Sequence, residues 1–320
     1  MGECGRVVSL GSILIDLAVD VPALPHRGGD MLATGTRTEV GGGFNLVAAV
    51  ARQNIECVYA GLHGTGRYGD MVRCALAAEK ITPALLPRDG EDTGFCVALV
   101  EPDAERTFIT VPGAEAKLTA GDLTSLTLRA TDIVALSGYD LVYPVSGAAL
   151  VDWTQWLGLR PAAERPRIVL DPGPLVSEIE ENILGRVLRV VDILTINQRE
   201  ARLLAKLSKA TGADLVEAVR RHPAIVPSVA VIVREGHHGC VAAGGVVGDE
   251  VIAVGAPQVI AVDTTGAGDA HTGVLLAELA RGSSIDSALR TANRAAAISV
   301  TRPGSATAPH RDELLTSALC

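Results

Sequence analysis

Short, continuous apolar segments recur along the chain, and each ends in a polar residue or a glycine. They occupy residues 6–11, 57–61, 132–138, 167–171, 192–197 and 229–236. Stretches with helical periodicity separate most of them, at 45–53, 69–79, 175–188, 200–206 and 213–221. Strands that are apolar throughout are buried on both faces, as in parallel sheets. The pattern therefore predicts an α/β fold with a mostly parallel central sheet and helices on both faces.

Two segments depart from this alternation of strands and helices. Residues 14–38 and 94–111 alternate apolar and polar positions and lack helical periodicity, which favours β-strands joined by turns. Neither segment is long enough to fold alone, so we expect them to pair as a small antiparallel sheet. We interpret this small β-sheet as a lid on a single unit, residues 1–320. The lid comprises insertions 12–40 and 93–112, and the α/β body comprises 1–11, 41–92 and 113–320.

Composition narrows the classes of function. With 48% apolar and 3% aromatic residues, the 320-residue chain can build a large aliphatic core. The net charge of -9 argues against nucleic acid as a partner, because that partner requires clustered Lys and Arg. No G-x-x-x-x-G-K-[ST] segment occurs, which excludes a P-loop mechanism. No apolar run reaches the roughly 18 residues of a membrane span. Six cysteines without C-x-x-C spacing favour a reduced, cytoplasmic protein.

The segment 263–269 (DTTGAGD) is the strongest candidate for a functional site. It lies between an apolar, β-branched stretch at 251–262 and a helical pattern at 270–281, so we expect a strand-to-helix turn. Glycines allow a tight turn whose free N–H groups bind a phosphate at the helix N-terminus. The carboxylate of Asp269 can align an acceptor hydroxyl and take its proton late, and we expect the helix to lower its pKa. From these residues alone, a capped tight turn is an equal alternative.

The segment 263–269 resembles the C-terminal signature D-T-x-G-A-G-D of the ribokinase-like (PfkB) carbohydrate kinases. Further segments match that family in the same order: 41–45 (GGGFN), 61–69 with Arg67 where an acidic residue is more common, 93–94 with 105–107, N-x-x-E at 197–200, and 292–304. Because the matches cover almost the whole chain, the resemblance favours the phosphate site. It implies a ribokinase-like fold and ATP-dependent transfer of the γ-phosphoryl group to a hydroxyl of a pentose or hexose. Mg²⁺ is the implied cofactor, with K⁺ as an optional second ion.

The resemblance implies a role for each residue of the turn. Asp269 is the expected catalytic base, and the main chain of Gly266, Ala267 and Gly268 is the expected anion hole. The expected nucleotide contacts are Asn197, Glu200, Gly236, Thr264, Gly266, Gly268 and Asn293.

Two metal sites are also implied by the resemblance. Glu200 is expected to hold Mg²⁺ through water, and Asp263 with Thr265 to shape a monovalent-cation site. Other interpretations fit some of the same residues. Asn197 and Glu200 are also what an ordinary helix start requires, and Asn293 also fits a packed polar residue.

The resemblance assigns sugar binding to Asp16, Gly42, Gly43 and Asn45. A carboxylate accepts two hydroxyl hydrogen bonds, glycines let a sugar approach the backbone, and an amide both donates and accepts. A turn-forming role for Asp16 and N-terminal capping by Asn45 are the alternatives. Arg106, on the expected lid, is a candidate for contact with the transferring phosphate or with an acidic substrate. A solvated strand arginine fits the pattern equally well.

The acceptor stays open at this stage. Ribokinases carry an acidic residue at the end of the central strand, whereas this chain reads ALSGYD at 135–140. A nucleoside kinase of the same family is an alternative, although three Phe, four Tyr and two Trp offer little surface for stacking a base. A non-catalytic sugar sensor with this fold is another, although it would be free to lose the base or the anion hole. The expected partners are a sugar, ATP and, through an exposed lid sheet, a second copy of the chain.

Overall fold

The computed structural model describes residues 4–103 and 105–316. Residues 1–3, Ala104 and 317–320, which the expected body and lid include, lie outside the described residues. The strands are β1 (Val7–Ser9), β2 (Ile13–Asp20), β3 (Gly35–Gly42), β4 (Cys57–Tyr59), β5 (Thr82–Pro83), β6 (Phe95–Val100), β7 (Arg106–Val111), β8 (Ile133–Ser137), β9 (Arg167–Asp171), β10 (Ile193–Asn197), β11 (Ala230–Arg234), β12 (Cys240–Gly244) and β13 (Gly248–Val254). The helices are α1 (Phe44–Ala51), α2 (Arg67–Ala78), α3 (Ala120–Thr124), α4 (Gly138–Val142), α5 (Pro144–Gly158), α6 (Glu181–Leu188), α7 (Gln198–Ala205), α8 (Gly212–Arg220), α9 (Ala267–Arg281), α10 (Ile285–Ser299) and α11 (Arg311–Thr316).

The nine-stranded sheet of the body has the order β13-β12-β11-β10-β9-β8-β1-β4-β5. All neighbours from β5 to β11 are parallel, and β12 and β13 are added antiparallel at one edge. Each apolar segment singled out in the sequence contributes one of the parallel strands. The expected α/β class with a mostly parallel sheet is confirmed.

Helices cover both faces of this sheet, as expected. Successive residues of a strand point to opposite faces, so Val7, Ile133 and Val169 belong to one core and Val8 and Val134 to the other. The first core also contains side chains of α1, α2, α9 and α10, and the second contains side chains of α3 to α8. Each described helix is too short or too polar to cross a membrane.

The approach to the 263–269 segment differs from the expectation. Strand β13 ends at Val254, and residues 255–266 form neither strand nor helix, so the expected strand-to-helix turn is wrong. The reason is topological: β13 pairs antiparallel at the sheet edge, and the chain must then cross the body to reach α9. The crossing is fixed by the N–H groups of Val262 and Asp263, which donate to the carbonyl of Val300 at 2.7 and 3.1 Å. The helical pattern at 175–188 is also only partly realised, because α6 begins at Glu181.

The two remaining segments form a separate four-stranded sheet in the order β3-β2-β6-β7, called the small sheet below. Its outer pairs are antiparallel, but the central pair β2–β6 is parallel, so the expected antiparallel sheet is wrong there. Each segment leaves the body on its first strand and returns on its second. When the two outgoing strands pair with each other, they necessarily run in the same direction.

Candidate active site

Polar side chains end the parallel strands at one edge of the large sheet. Ser137 and Asp171 end β8 and β9 and pair in register, as do Asn197 and Arg234 at the ends of β10 and β11. In open parallel sheets this carboxyl edge is where ligands bind. The first turn of α9 meets the same edge.

That turn presents unpaired amides. Gly266, which precedes α9, has a φ of 68°, a left-handed conformation that favours glycine. The Ala267 N–H donates to the carbonyl of Thr264 at 3.2 Å. The next two N–H groups, those of Gly268 and Asp269, donate to none of the described residues. Unpaired amides and the positive end of the helix dipole coincide here, so the turn is suited to bind an anion.

Asn45 holds the side chain of Asp269 from the opposite helix. Its Nδ2 donates to Asp269 Oδ2 at 3.2 Å, and its Oδ1 accepts from the Ala306 N–H at 2.7 Å. A Cβ at Gly266 would lie 3.1 Å from Asn45 Cγ, and the φ of this residue is positive, so a side chain there would be both crowded and strained. Asn45 does not cap α1: the cap position is Gly43, and no side chain bonds there.

The pKa of Asp269 is raised to about 7, so the expected lowering by the helix is wrong. Burial is the largest cause, and the neighbouring carboxylates Asp171 and Glu200 add to it. Asn45 and Arg234 act in the opposite direction without cancelling it. Desolvation and like charge outweigh the helix dipole here. A carboxyl that titrates near neutral pH is better matched to accepting a proton than one held fully ionised.

Sequence reasoning misses Arg234, the last residue of β11. Its guanidinium lies against this turn and donates to Asp171 Oδ2 at 2.6 Å and to Thr272 Oγ1 at 2.7 Å. A charged residue that ends an otherwise apolar segment was the available signal.

A cleft of about 850 Å³ opens beside this edge and has the size of a nucleotide site. Asn197, Gly236, Arg199 and Arg234 are among its lining residues. Two of these are expected nucleotide contacts, and the two arginines supply positive charge. Gly236 begins the loop after β11 and has a φ of 60°.

Asn197 and Glu200 bond to each other at the start of α7. The Glu200 N–H donates to Asn197 Oδ1 and the Asn197 N–H donates to Glu200 Oε2, both at 2.9 Å. Asn197 Nδ2 also donates to Glu200 Oε1 at 2.5 Å. Both oxygens of the buried Glu200 carboxylate are therefore engaged, which fits contact with a metal ion through water better than direct ligation. Burial, with Asp171 adding, raises the pKa of Glu200 to about 6.

Asn293 is buried and binds the main chain. Its Nδ2 donates to the carbonyls of Val254 and Gly255 at 2.8 and 3.2 Å, which ties α10 to the end of β13. Its amide nitrogen is thus occupied rather than open to an adenine. Asn293 therefore has the geometry of a polar residue packed in the core.

On the other side of Asp269, the small sheet places Asp16 over the body. Among the described residues, none donates a hydrogen bond to the Asp16 carboxylate. Burial, with Glu39 adding and Arg106 opposing, raises its pKa to about 6. The carboxylate packs directly on Gly41, where a Cβ would lie 1.8 Å from Asp16 Oδ2.

Gly42 and Gly43 form the connection between the small sheet and α1. Gly42 has a φ of 59°, and a Cβ on it would lie 2.7 Å from the carbonyl oxygen of Ser12. A Cβ on Gly43 would lie 2.5 Å from the carbonyl oxygen of Gly11. These glycines are required by the close passage of two chain segments, whether or not a sugar approaches them.

Arg106 and Asp263, which have separate expected roles, form an ion pair at 2.8 Å between the small sheet and the body. Asp263 also accepts from the N–H and Oγ1 of Thr265 at 2.9 and 2.7 Å, and from the N–H of Gly304 at 3.1 Å. Burial alone would raise the pKa of Asp263, but these bonds outweigh it and lower the pKa to about 2. The carboxylate expected to shape a monovalent-cation site is already satisfied by these donors.

Tyr139, a second residue that sequence reasoning does not assign, lies near the carboxylates of both Asp269 and Asp16. It follows β8, its side chain is 38% exposed, and a Cβ on Gly173 would lie 3.5 Å from its ring. Burial raises the pKa of Tyr139 to about 12, and the charges of Asp269 and Asp16 add to the effect. Its ring therefore borders the space between the amide turn and the small sheet.

Comparison with known families identifies the chain. The model of the pfkB family carbohydrate kinases matches residues 5–311, which is nearly the whole length. The chain belongs to this family. It is 31% identical to the uncharacterized sugar kinase YegV of Escherichia coli over 97% of this chain and 92% of the relative. It is 27% identical to the ribokinase of Haemophilus influenzae over 96% of each protein.

The fold of this pfkB kinase is that of the ribokinases. The structure of Arabidopsis thaliana ribokinase complexed with ribose and ATP superposes with a TM-score of 0.76 at 23% identity, covering 98% of each chain. As a pfkB carbohydrate kinase, the protein is a phosphotransferase that acts on a sugar hydroxyl.

Proposed function

We propose that the chain transfers the γ-phosphoryl group of ATP to a hydroxyl of a pentose or hexose that carries no acidic group. The proposal rests on one juxtaposition of two arrangements: the Asp269 carboxyl stands beside the unpaired amides of α9, and the Asp16 carboxylate faces the same space and accepts a hydrogen bond from none of the described residues. The first arrangement suits an anion and a proton acceptor together. The second suits a polyol.

The reaction follows from these positions. The triphosphate enters the cleft beside Arg199 and Gly236, with its γ-phosphate on the amides of Gly268 and Asp269. Asp16 accepts hydrogen bonds from the sugar, and Asp269 aligns the attacking hydroxyl and takes its proton as the phosphoryl group moves across. Because the transition state is loose, this alignment and the amide dipoles supply most of the catalysis.

Mg²⁺, when bound with ATP, would neutralise charge on the phosphates. Glu200 is the residue proposed to contact it, through water, since both of its oxygens are bonded to Asn197. A monovalent cation at Asp263 and Thr265 does not fit while Arg106 is paired with that carboxylate. No step of the proposed reaction depends on K⁺.

A neutral acceptor is favoured by the charges around the sugar space. Asp16, Glu39 and Asp269 are acidic, and Arg106 is already neutralised by Asp263. A sugar acid or sugar phosphate would meet like charge there, which costs affinity. A neutral or amino sugar would meet acceptors for its hydroxyl or ammonium groups.

A nucleoside acceptor is a second candidate, which the position of Tyr139 favours. Its ring is 38% exposed and borders the acceptor space, so it offers one face for stacking. With three Phe, four Tyr and two Trp in all, the chain offers few further rings to enclose a base. We therefore rank the sugar first.

An ADP-release assay tests the proposal. The wild-type chain would be supplied with ATP, Mg²⁺ and a panel of neutral sugars, amino sugars, sugar acids, sugar phosphates and nucleosides. We expect turnover with a neutral or amino sugar, and a loss of about 10²- to 10⁴-fold in kcat for Asp269→Asn with sugar binding retained. Preference for a nucleoside would reverse the ranking, and sugar binding without turnover would indicate the sensor.

We further propose that the small sheet is the lid of a single catalytic unit and that two chains associate through it. The edge strand β7 exposes 60% of Phe108 and 56% of Ile109, and edge strands with exposed apolar residues tend to pair. Sedimentation equilibrium should give a dimer for the wild type and a monomer for Phe108→Ser. A reducing cytoplasm is the proposed location, since the described cysteines are free thiols.

A further inference from the structure

Arg234 is a buried cation that the proposed reaction steps do not use. Its side chain is 10% exposed, although it lies at the ligand-binding edge of the sheet. Removing a guanidinium from water costs several kcal/mol unless it is paired and hydrogen-bonded. Its partners therefore show what the fold gains from this position.

Those partners come from the strands and from the helix that meet at the amide turn. On the strand side, Arg234 donates to Asp171 at the end of β9 and lies 3.3 Å from Thr195 Oγ1 in β10. On the helix side, it donates to Thr272 Oγ1 and lies 3.4 Å from the carbonyl oxygen of Gly268. One side chain thus links the parallel strands β9, β10 and β11 to the first two turns of α9.

The guanidinium also lies directly behind the unpaired amides. A Cβ on Gly268 would be 3.6 Å from Arg234 Cζ, which is van der Waals contact. Three carboxylates converge on the same place: Asp171 at 2.6 Å, Glu200 at 3.8 Å, and Asp269 in the adjacent turn. Without Arg234, these three carboxyl groups would stand behind the amide turn with no cation among them.

We propose that Arg234 is a positioning residue for phosphoryl transfer: it fixes the first turn of α9 against the ends of β9 and β11 and places a permanent positive charge behind the phosphate-binding amides. It acts through Gly268 and Asp171 and is not a contact of the acceptor. This inference rests on the proposed function. It adds a residue that the family signature at 263–269 does not contain.

The charges around Asp269 make the proposal testable by pH. Facing it are Asp171 from β9, Arg234 from β11, Glu200 from α7 and Tyr139 from α4, with the neutral Asn45 from α1. Arg234 lowers the pKa of Asp269, and Asp171 raises it. Removing one or the other should therefore move the acid limb of the pH profile in opposite directions, a result that loss of packing alone does not give.

The experiment measures kcat/KM from pH 5 to 9, at saturating Mg²⁺, for Arg234→Met, Asp171→Asn and the double variant. The acid limb should move up by about one pH unit in Arg234→Met and down in Asp171→Asn. In the double variant the acid limb should return toward the wild-type position. This variant also removes the buried Asp171 charge that Arg234→Met leaves unpaired, so it can be measured even where Arg234→Met alone folds poorly. Arg234→Lys keeps the positive charge but not the planar guanidinium that bonds to several partners at once. It should therefore leave the acid limb in place and lower kcat.

A matched control lies at the opposite end of the sheet. Arg165 is 17% exposed and makes a two-pronged pair with Asp192, at 2.8 and 2.7 Å, before β10 begins. Arg165→Met should lower stability and leave the acid limb in place. The inference is overturned if Arg234→Met turns over with its acid limb in the wild-type position, or if the acid limb moves equally in Arg234→Met and Arg165→Met. Neither result would contradict the proposed function. A wild-type chain without turnover overturns the proposed function and this inference with it.

Discussion

Acidic side chains are buried both in the body and at the hinge of the small sheet, but with different partners. In the body, Asp171 and Glu200 surround the guanidinium of Arg234. At the hinge, Glu115 and Asp140 are 1% and 2% exposed, and their hydrogen-bond donors are backbone N–H groups and a serine. A cation fixes charge at the catalytic edge, whereas neutral donors fix chain positions at the hinge.

The hinge carboxylates hold the points where the small sheet joins the body. Glu115 accepts from the N–H of Gly94, just before β6, and from the N–H of Gly113, just after β7, each at 2.8 Å. Asp140 accepts from the Oγ and N–H of Ser12, just before β2, at 2.5 and 3.2 Å. Two side chains of the body thus anchor three strand ends of the small sheet. The catalytic edge of the body is therefore organised around a charge, and the hinge around fixed chain positions.

Among the variants that test this comparison, the largest effect is expected from breaking the hinge. Glu115→Ala leaves two buried N–H groups without an acceptor and should lower the free energy of unfolding by about 3 kcal/mol. Urea unfolding followed by circular dichroism measures the change. Glu115→Gln keeps one acceptor and should lose about half as much. Equal stability of the alanine variant and the wild type would show that the two hydrogen bonds to the Glu115 carboxylate do not hold the hinge.

The next effect concerns the small sheet as the sugar-binding side. Asp16→Asn replaces a charged acceptor and should cost about 2 kcal/mol, or about 30-fold in kcat/KM for the sugar, with the KM for ATP unchanged. Asp20→Asn is the control, because Asp20 lies on the same strand and pairs with Arg37 instead. Similar losses in both variants would argue against a sugar contact at Asp16.

A pH dependence of stability distinguishes the two clusters. Burial raises the pKa of Asp140 to about 7, although bonds from Ser12 oppose it. The folded chain then keeps a proton that the unfolded chain has lost above its ordinary pKa of 3.8. This contribution is full below that pKa and is lost as pH rises through 7. Between pH 5 and 7, the wild type should lose about 1.4 kcal/mol per pH unit more than Asp140→Asn. Parallel urea-unfolding profiles would contradict it.

The smallest effect is expected at the ion pair between the small sheet and the body. Arg106→Met removes the partly exposed pair with Asp263 and should raise the sugar KM about threefold, equivalent to about 0.7 kcal/mol. Arg37→Met removes the pair with Asp20 within the small sheet and should leave that KM unchanged. Steady-state kinetics at fixed ATP separates the two outcomes.

The strands of the body could be predicted from the sequence, because an apolar run that is buried on both faces can be recognised without knowing which strand it pairs with. Residues 255–262 show the limit of that reasoning. Their β-branched residues favour a strand, but this segment pairs with no neighbouring strand and forms none. The parallel pairing of β2 with β6 likewise depends on how two distant segments leave the body.

Within the site, the turn at 263–269 and its neighbour Asn45 could be singled out from residue types and their resemblance. The raised pKa of Asp269 could not, because it depends on Asp171, almost a hundred positions away, and on burial. Arg234 was missed for the same reason. The role of a charged residue at a strand end can be inferred only when the carboxylates around it are known.

Gly41 has a practical consequence for redirecting this kinase to new acceptors. A single added carbon there would displace the carboxylate of Asp16. Libraries that randomise this position would therefore discard the hydroxyl acceptor before any new preference could emerge. Tyr139, whose ring has room to change, is the better starting point for altering which molecules are phosphorylated.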